Sequence, residues 1–277
     1  MIVRLERRTA ATFGAIDRDI AVDSGDRVHC ERDEGNLSGP HGGPLIATHC
    51  RVVGVYVRFR VSDEGNRIPL LDRLYQDFLN NENSAAFVKA VTGQYTLGSL
   101  GRLARCGSRV SRRAAVYALG MIGDYQENAV LGCAMRDPDR AVRLMADHGI
   151  RSLWFRCGNE RQRKELQLLA RYNNNLRYDE VVRRATELIE SAPWIPEAWN
   201  QRGVALFHLR KFNESADDCH QTLEINPYHF GAAVSMGHCY LEMNDPAAAL
   251  ECFRRALRLN PGLEGVRAQI EFLERSL

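Results

Sequence analysis

Histidines and cysteines stand together at three places in the chain: His29-Cys30 with His41 and His49-Cys50, then Cys219-His220, then His238-Cys239. Imidazole and thiolate are preferred zinc ligands, and a cysteine beside a histidine is also how a thiol nucleophile is made. Zinc would need four such groups converging as a tetrahedron. The irregular spacing of the first cluster fits no zinc signature, so these residues read as loop positions beside a hairpin. Cys219 falls on a core position of the repeat described below and reads as a small buried hydrophobe. The sequence contains no phosphate loop, nucleophile elbow, HExxH or dinucleotide fingerprint. The expectation is a protein that is not an enzyme, with no catalytic residue, no metal and no cofactor.

A second kind of chemistry lies in the arginines. Arg102, Arg105, Arg109, Arg112 and Arg113, with Arg140, Arg143 and Arg151, fall in the one basic stretch. Residues 84–161 carry 12 Lys and Arg against 6 acidic residues, whereas the flanking stretches balance slightly acidic. Such a face could hold nucleic-acid phosphates, which makes nucleic-acid binding the alternative function.

Whole-chain properties are ordinary. The 277 residues are 45% hydrophobic and 26% charged with a net charge of +2, which excludes disordered and collagen-like classes. The longest apolar runs are far short of a membrane span, and Met1 to Ile20 carries charges where a signal peptide has its apolar core. Eight scattered cysteines without a CxxC pair suit reduced thiols. The chain is therefore expected to be cytoplasmic, with no membrane partner.

The elements that must position these residues show in a period. Pro193, Pro227 and Pro261 recur every 34 residues, as do Gly203 and Gly237. The same shift superimposes Tyr172, Leu206 and Tyr240, then Val181, Ser215 and Ala249, then Ala185, Cys219 and Phe253. Each unit predicts two helices. In the middle unit Ala198 to Leu209 is the first, Lys211 and Phe212 turn the chain, and Asn213 to Ile225 is the second, stopped by Asn226-Pro227. Asp245 is placed to cap the last second helix with Pro246 in its first turn. Gly203 and Gly237 sit where paired helices must approach closely.

These residues resemble the tetratricopeptide repeat family. Met236-Gly237, Tyr240, Ala249, Phe253, Ala256 and Pro261 meet its 34-residue pattern in one unit, and Trp199, Gly203, Leu206 and Pro227 in another. The unit 162–195 is degenerate, with Leu169 in place of the glycine and Val181 in place of the alanine. Units 162–195, 196–229 and 230–263 would be followed by a capping helix over 264–277, carrying Val266, Ile270 and Leu273 on one side.

The resemblance implies a concave groove lined by first helices. Its residues here would be Arg163 and Asn174, then Asn200, Val204, Phe207 and His208, then Val234, His238 and Leu241. Amides can pair with the backbone of an extended peptide while Phe207 covers a side chain. Family members that grip the acidic tails of Hsp70 and Hsp90 chaperones use cations and asparagines at positions that here hold Leu166, Ala170, Gln201, Gly231 and Ser235. With no cation among these, the expectation is a protein or peptide partner other than those chaperones.

Residues 68–161 are similar to HEAT-like repeats, through Ser111-Arg112-Arg113-Ala114-Ala115 with Ala118-Leu119-Gly120, and Asp137-Pro138-Asp139-Arg140-Ala141-Val142-Arg143 with Gly149-Ile150. That similarity implies that Arg143 pairs with turn acids such as Asp137 or Asp139. Parts of bilin lyases share such repeats, which adds an enzyme subunit as a remoter alternative. The expected fold is all-α, a right-handed α-α superhelix of helical hairpins. Residues 1–67 are set apart as an irregular, partly disordered or β-hairpin segment, with Val-rich Arg51 to Val61 pairing with Arg27 to Glu31 and a loop over Glu34 to Pro44. The expected function is a non-catalytic scaffold or adaptor.

Overall fold

The computed structural model describes residues 51–52, 55–56 and 68–276. His29, Cys30, His41, His49 and Cys50 lie outside them, as do Arg27 to Glu31 and the loop over Glu34 to Pro44. In the first unit, β1 (Arg51–Val52) pairs antiparallel with β2 (Val55–Tyr56), Arg51 opposite Tyr56 and Val52 opposite Val55.

Pro69–Leu277 forms one compact unit, and its described secondary structure is all helical. Its first part holds α1 (Leu70–Asn81), α2 (Ser84–Thr92), α3 (Leu97–Cys106), α4 (Arg109–Ile122), α5 (Asn128–Ala134) and α6 (Arg140–Trp154). Then come the pairs α7 (Glu160–Asn174) and α8 (Tyr178–Ser191), α9 (Pro196–His208) and α10 (Phe212–Ile225), and α11 (Phe230–Glu242) and α12 (Pro246–Leu259). Helix α13 (Glu264–Ser276) closes the series, burying Val266, Ile270 and Leu273. The architecture is an α-solenoid of helical hairpins.

The 34-residue period is visible in the backbone. Leu176, Arg210 and Asn244, one at each turn between paired helices, have φ of 59°, 61° and 60°. The next amide in each case reaches back to the last turn of the first helix: Arg177 N to Tyr172 O at 2.9 Å, Lys211 N to Leu206 O at 2.9 Å, and Asp245 N to Tyr240 O at 2.8 Å. A left-handed residue followed by this long backward bond satisfies carbonyls that the helix end would orphan. Asp245 caps α12 through Ala248 N at 2.9 Å, with Pro246 in the first turn. Helices α10 and α12 end one residue before Asn226-Pro227 and Asn260-Pro261.

Packing follows the same register. A Cβ at Gly237 would lie 2.6 Å from Cε1 of Phe253, so α11 and α12 touch only because no side chain intervenes. At Gly203 a Cβ would lie 3.3 Å from Asp218 Cβ, 3.4 Å from the Ser215 carbonyl oxygen and 3.5 Å from Cys219 Sγ, so the smaller cysteine leaves a less severe overlap than Phe253 does at Gly237. In the degenerate pair, Leu169 and Val181 are both fully buried and fill the space. Gly120 and Gly149 meet in the same way between α4 and α6, where a Cβ on Gly120 would sit 3.0 Å from Gly149 Cα.

The helices up to α6 rest on loops of the later repeats. Asn128 Nδ2 donates to Asn226 Oδ1 at 2.8 Å, and Asn260 Nδ2 donates to Asp147 Oδ1 at 2.7 Å. Trp154 stacks on His229 with ring centroids 3.8 Å apart, and a Cβ on Gly132 would clash with the Cδ1 edge of the Tyr228 ring. The loop before α11 and the loop after α12 are therefore covered by α5 and α6.

Candidate functional site

The residues expected on the inner face separate by what holds them. Arg163 is taken up at the start of α7, its Nε donating to Gly158 O at 2.8 Å and an Nη lying 3.5 Å from Asp124. Asn200 is buried, with Nδ2 donating to Glu197 Oε1 at 3.0 Å. Both belong to internal contacts first. Asn174 and His208 are exposed, and Val204, Phe207, Val234, His238 and Leu241 are half-buried.

Among these, the structure brings together Phe207, His208 and His238. The Phe207 ring meets His208 edge-on at 5.8 Å and His238 at 6.5 Å, and it packs on Phe212 at 5.5 Å. His208 in turn stacks on Tyr178 at 4.6 Å, and His238 lies edge-on to Phe253 at 5.2 Å. Val234 and Leu241 pack against the same core as Phe207. Burial lowers the pKa of His238 from its ordinary value, with Glu242 opposing. Burial thus favours its neutral form, and the row is mainly aromatic and apolar, with Arg210 lying 5.4 Å over the Phe212 ring at its edge. Tyr178 and Phe212 belong to this row although the sequence reading passed over them. Both open second helices just after the turn, so their spacing from the inner face was the available signal.

At the other ends of the first helices the face is closed. Glu197 accepts from Asn200 and Gln201 on one oxygen, at 3.0 and 2.6 Å, and meets His229 Nε2 at 3.0 Å on the other. Ala232 N donates to His229 Nδ1 at 3.0 Å, so Nε2 carries the proton and donates to the carboxylate. Asn173 extends the network by donating to Gln201 Oε1 at 2.8 Å, and Trp154 Nε1 donates to Asn128 at 3.0 Å behind the His229 stack. What remains open is the turn-side half, where Phe207, His208 and His238 lie. Of the positions compared with the chaperone clamp, Leu166 and Gln201 are buried, while Ala170, Gly231 and Ser235 are half-buried.

The cysteine and histidine pairs stay apart chemically. Cys219 is fully buried, and burial pushes its thiol far above the ordinary value. Cys239 Sγ donates to Ser215 Oγ at 3.1 Å, and His220 is exposed beside Glu224. Among the described residues no group of three His, Cys, Asp or Glu could hold a metal ion, and no helix is long and apolar enough to cross a membrane.

Most of the named arginines are engaged. Arg112 pairs with Asp137 at 2.7 and 3.0 Å and also donates to Gly107 O, while Arg109 and Arg113 share Asp139. Hydrogen bonding from Arg113 holds the Asp139 carboxyl well below the usual carboxylate range. Arg143 corrects the sequence reading. It donates to the main-chain carbonyls of Asp137 and Pro138 at 2.8 and 3.0 Å, because their carboxylate neighbours are already taken. Arg151 lies 3.3 Å from Asp147, whereas Arg102 and Arg105 are exposed on α3. These arginines therefore do not present one continuous free face.

The model of the tetratricopeptide repeat matches residues 196–229 and 234–263. A TPR repeat-containing protein of Rhizobium etli is 25% identical over 142 residues, covering 51% of this chain and 69% of the relative. The Hsp70-Hsp90 organizing protein of Triticum aestivum is 25% identical over 92 residues, covering 33% of this chain and 16% of the relative. Among solved structures, the first TPR of Spaghetti (RPAP3) bound to an HSP90 peptide has 20% identity and a TM-score of 0.39, covering 41% of this chain and 93% of that one. The TPR2AB domain of yeast Sti1 in its pHSP90 complex has 17% identity and a TM-score of 0.37, covering 73% and 95%. Residues 196–229 and 234–263 are tetratricopeptide repeats.

Proposed function

We propose that the chain is a non-catalytic adaptor that holds an extended peptide segment of a protein partner against the turn-side ends of α9 and α11. The row of Phe207, His208 and His238 on the inner helices of two tetratricopeptide repeats carries this reading. Half-buried aromatic rings gain from covering an apolar side chain. Val204, Val234 and Leu241 extend the apolar surface, while Asn174 and the rim of His208 offer polar contacts. Asn200 and Arg163 act from behind as supports. Residues 68–161 are read as HEAT-like hairpins that brace the repeats, in a cytoplasmic protein without a cofactor.

The name of the wheat relative weighs against excluding chaperones as partners on the strength of five positions. An acidic chaperone tail is accordingly one of the probes. Panning a random peptide library on the full chain should enrich peptides with an apolar residue at a fixed place. Phe207→Ala and His238→Ala should each weaken those peptides by roughly tenfold with helicity unchanged. Enrichment of Hsp90-tail peptides would name the partner class. Failure to enrich any sequence, or peptides indifferent to both substitutions, would remove the groove reading.

A further inference from the structure

We propose that the recess at the start of α6, built by Arg109, Arg113, Arg140 and Leu144, binds a phosphorylated side chain of a protein partner. The recess lies apart from the row on α9 and α11 and is lined by residues of α4, α6 and the loop before α6.

Its floor is a saturated carboxylate. The side chain of Asp139 is only 3% exposed and takes hydrogen bonds from Arg113 Nε and Nη2 at 2.9 and 3.0 Å, from Arg109 Nε, and from Ala141 N at 2.8 Å. Asp139 thereby caps α6, and an incoming anion meets guanidinium groups and not a bare helix end. Arg109 is held through Nε alone, is 71% exposed on its side chain, and keeps both Nη groups free to donate. Arg113 is held by one edge and keeps Nη1. Arg140 is exposed and makes no ion pair among the described residues. Behind them Arg112 and Asp137 close a separate neutral pair.

Three arginines thus line the recess against one carboxylate, a surplus of two positive charges, and Asp139 holds two of the three guanidinium groups in place. That surplus and the fork geometry of arginine match a phosphate monoester dianion. Leu144 stands one helical turn beyond Arg140 on the same face and is 59% exposed. An apolar wall beside an anion cradle suits a phosphorylated residue with an apolar neighbour. A nucleic-acid backbone would need a track of cations, but Arg102 and Arg105 do not line the recess.

The test uses the full chain and short labelled peptides carrying phosphoserine and flanking leucines. They are compared with unphosphorylated counterparts, with inorganic phosphate as competitor and with single-stranded RNA of matched charge. The expected result is at least roughly tenfold tighter binding of the phosphorylated peptides, competition by inorganic phosphate, and a roughly tenfold loss in Arg140→Ala at unchanged helicity. Leu144→Ser should weaken the peptide and leave inorganic phosphate unaffected, which separates a peptide site from a free-phosphate site. Phe207→Ala should change nothing here, so failure of the inner-face row and failure of this recess are told apart. Equal binding with and without phosphate, RNA bound as tightly as peptide, or an Arg140→Ala variant of full affinity would overturn the proposal.

Discussion

The Nε2 of His229 and a carboxylate oxygen of Glu197 meet at 3.0 Å with their side chains 1% and 2% exposed. Glu197 starts α9, His229 caps α11, and Trp154 from α6 stacks on the imidazole, so one buried contact joins two repeats to the preceding helices. A buried carboxylate that loses a donor keeps its desolvation cost without the compensating bond. His229→Ala also removes the cap on Ala232, and it should lower the free energy of unfolding by about 3 kcal/mol. Urea denaturation measures this, and a loss below about 1 kcal/mol would show that the contact adds little.

Close approach at Gly237 gives a second expectation. A Cβ there would lie 2.6 and 2.8 Å from Cε1 and Cδ1 of Phe253. Gly237→Leu, and to a smaller degree Gly237→Ala, should cost about 1–3 kcal/mol because the core must shift to accept new atoms. In Gly237→Ala, a second change Phe253→Leu should cost less than it does in the parent, which a double-mutant cycle reads as coupling. Additive costs would place the two residues out of contact.

Asp139 predicts an acid dependence. Hydrogen bonds from Arg113 and Arg109 lower its pKa in the folded chain. Its contribution is therefore fully present above the unfolded value of about 4 and drains away as pH falls toward the lower folded value. The stability difference between the parent and Asp139→Asn should be largest near neutral pH and shrink below about pH 4. A difference that stays constant down to strong acid would contradict the assignment.

The thiols divide by burial. Cys219 and Cys239 are fully buried with raised pKa values, and burial pushes Cys252 up to about 11. Native chain treated with a thiol-alkylating reagent should be modified at exposed Cys133 and spared at these three until denaturant is added. Peptide mapping by mass spectrometry locates the label.

The helical hairpins were legible because their determinants are local and periodic. Proline at the end of each unit and glycine opposite Phe253 constrain the backbone wherever they occur, and Cys219 could be read as core from Phe253 one period later. The inner face was legible only in part. The register expects Asn200 on it, but the amide is buried and donates to the neighbouring Glu197, and a period cannot state which side chain a buried carboxylate will recruit. Nor could the sequence show that α5 and α6 cover the loop holding His229, since that contact joins Trp154 and Asn128 to residues far along the chain with no repeat to align them. Arg143 was misassigned for a related reason. Its expected partners are claimed by Arg109, Arg112 and Arg113, which approach from α4.

Amide hydrogen exchange with and without a peptide enriched on the full chain tests the central claim most directly. Binding along the open half of the inner face should slow exchange in residues 204–208 of α9 and 234–241 of α11 while leaving α10 and α12 unchanged. Protection confined to α10 and α12, or spread over α1 to α6 with α9 and α11 unaffected, would contradict it.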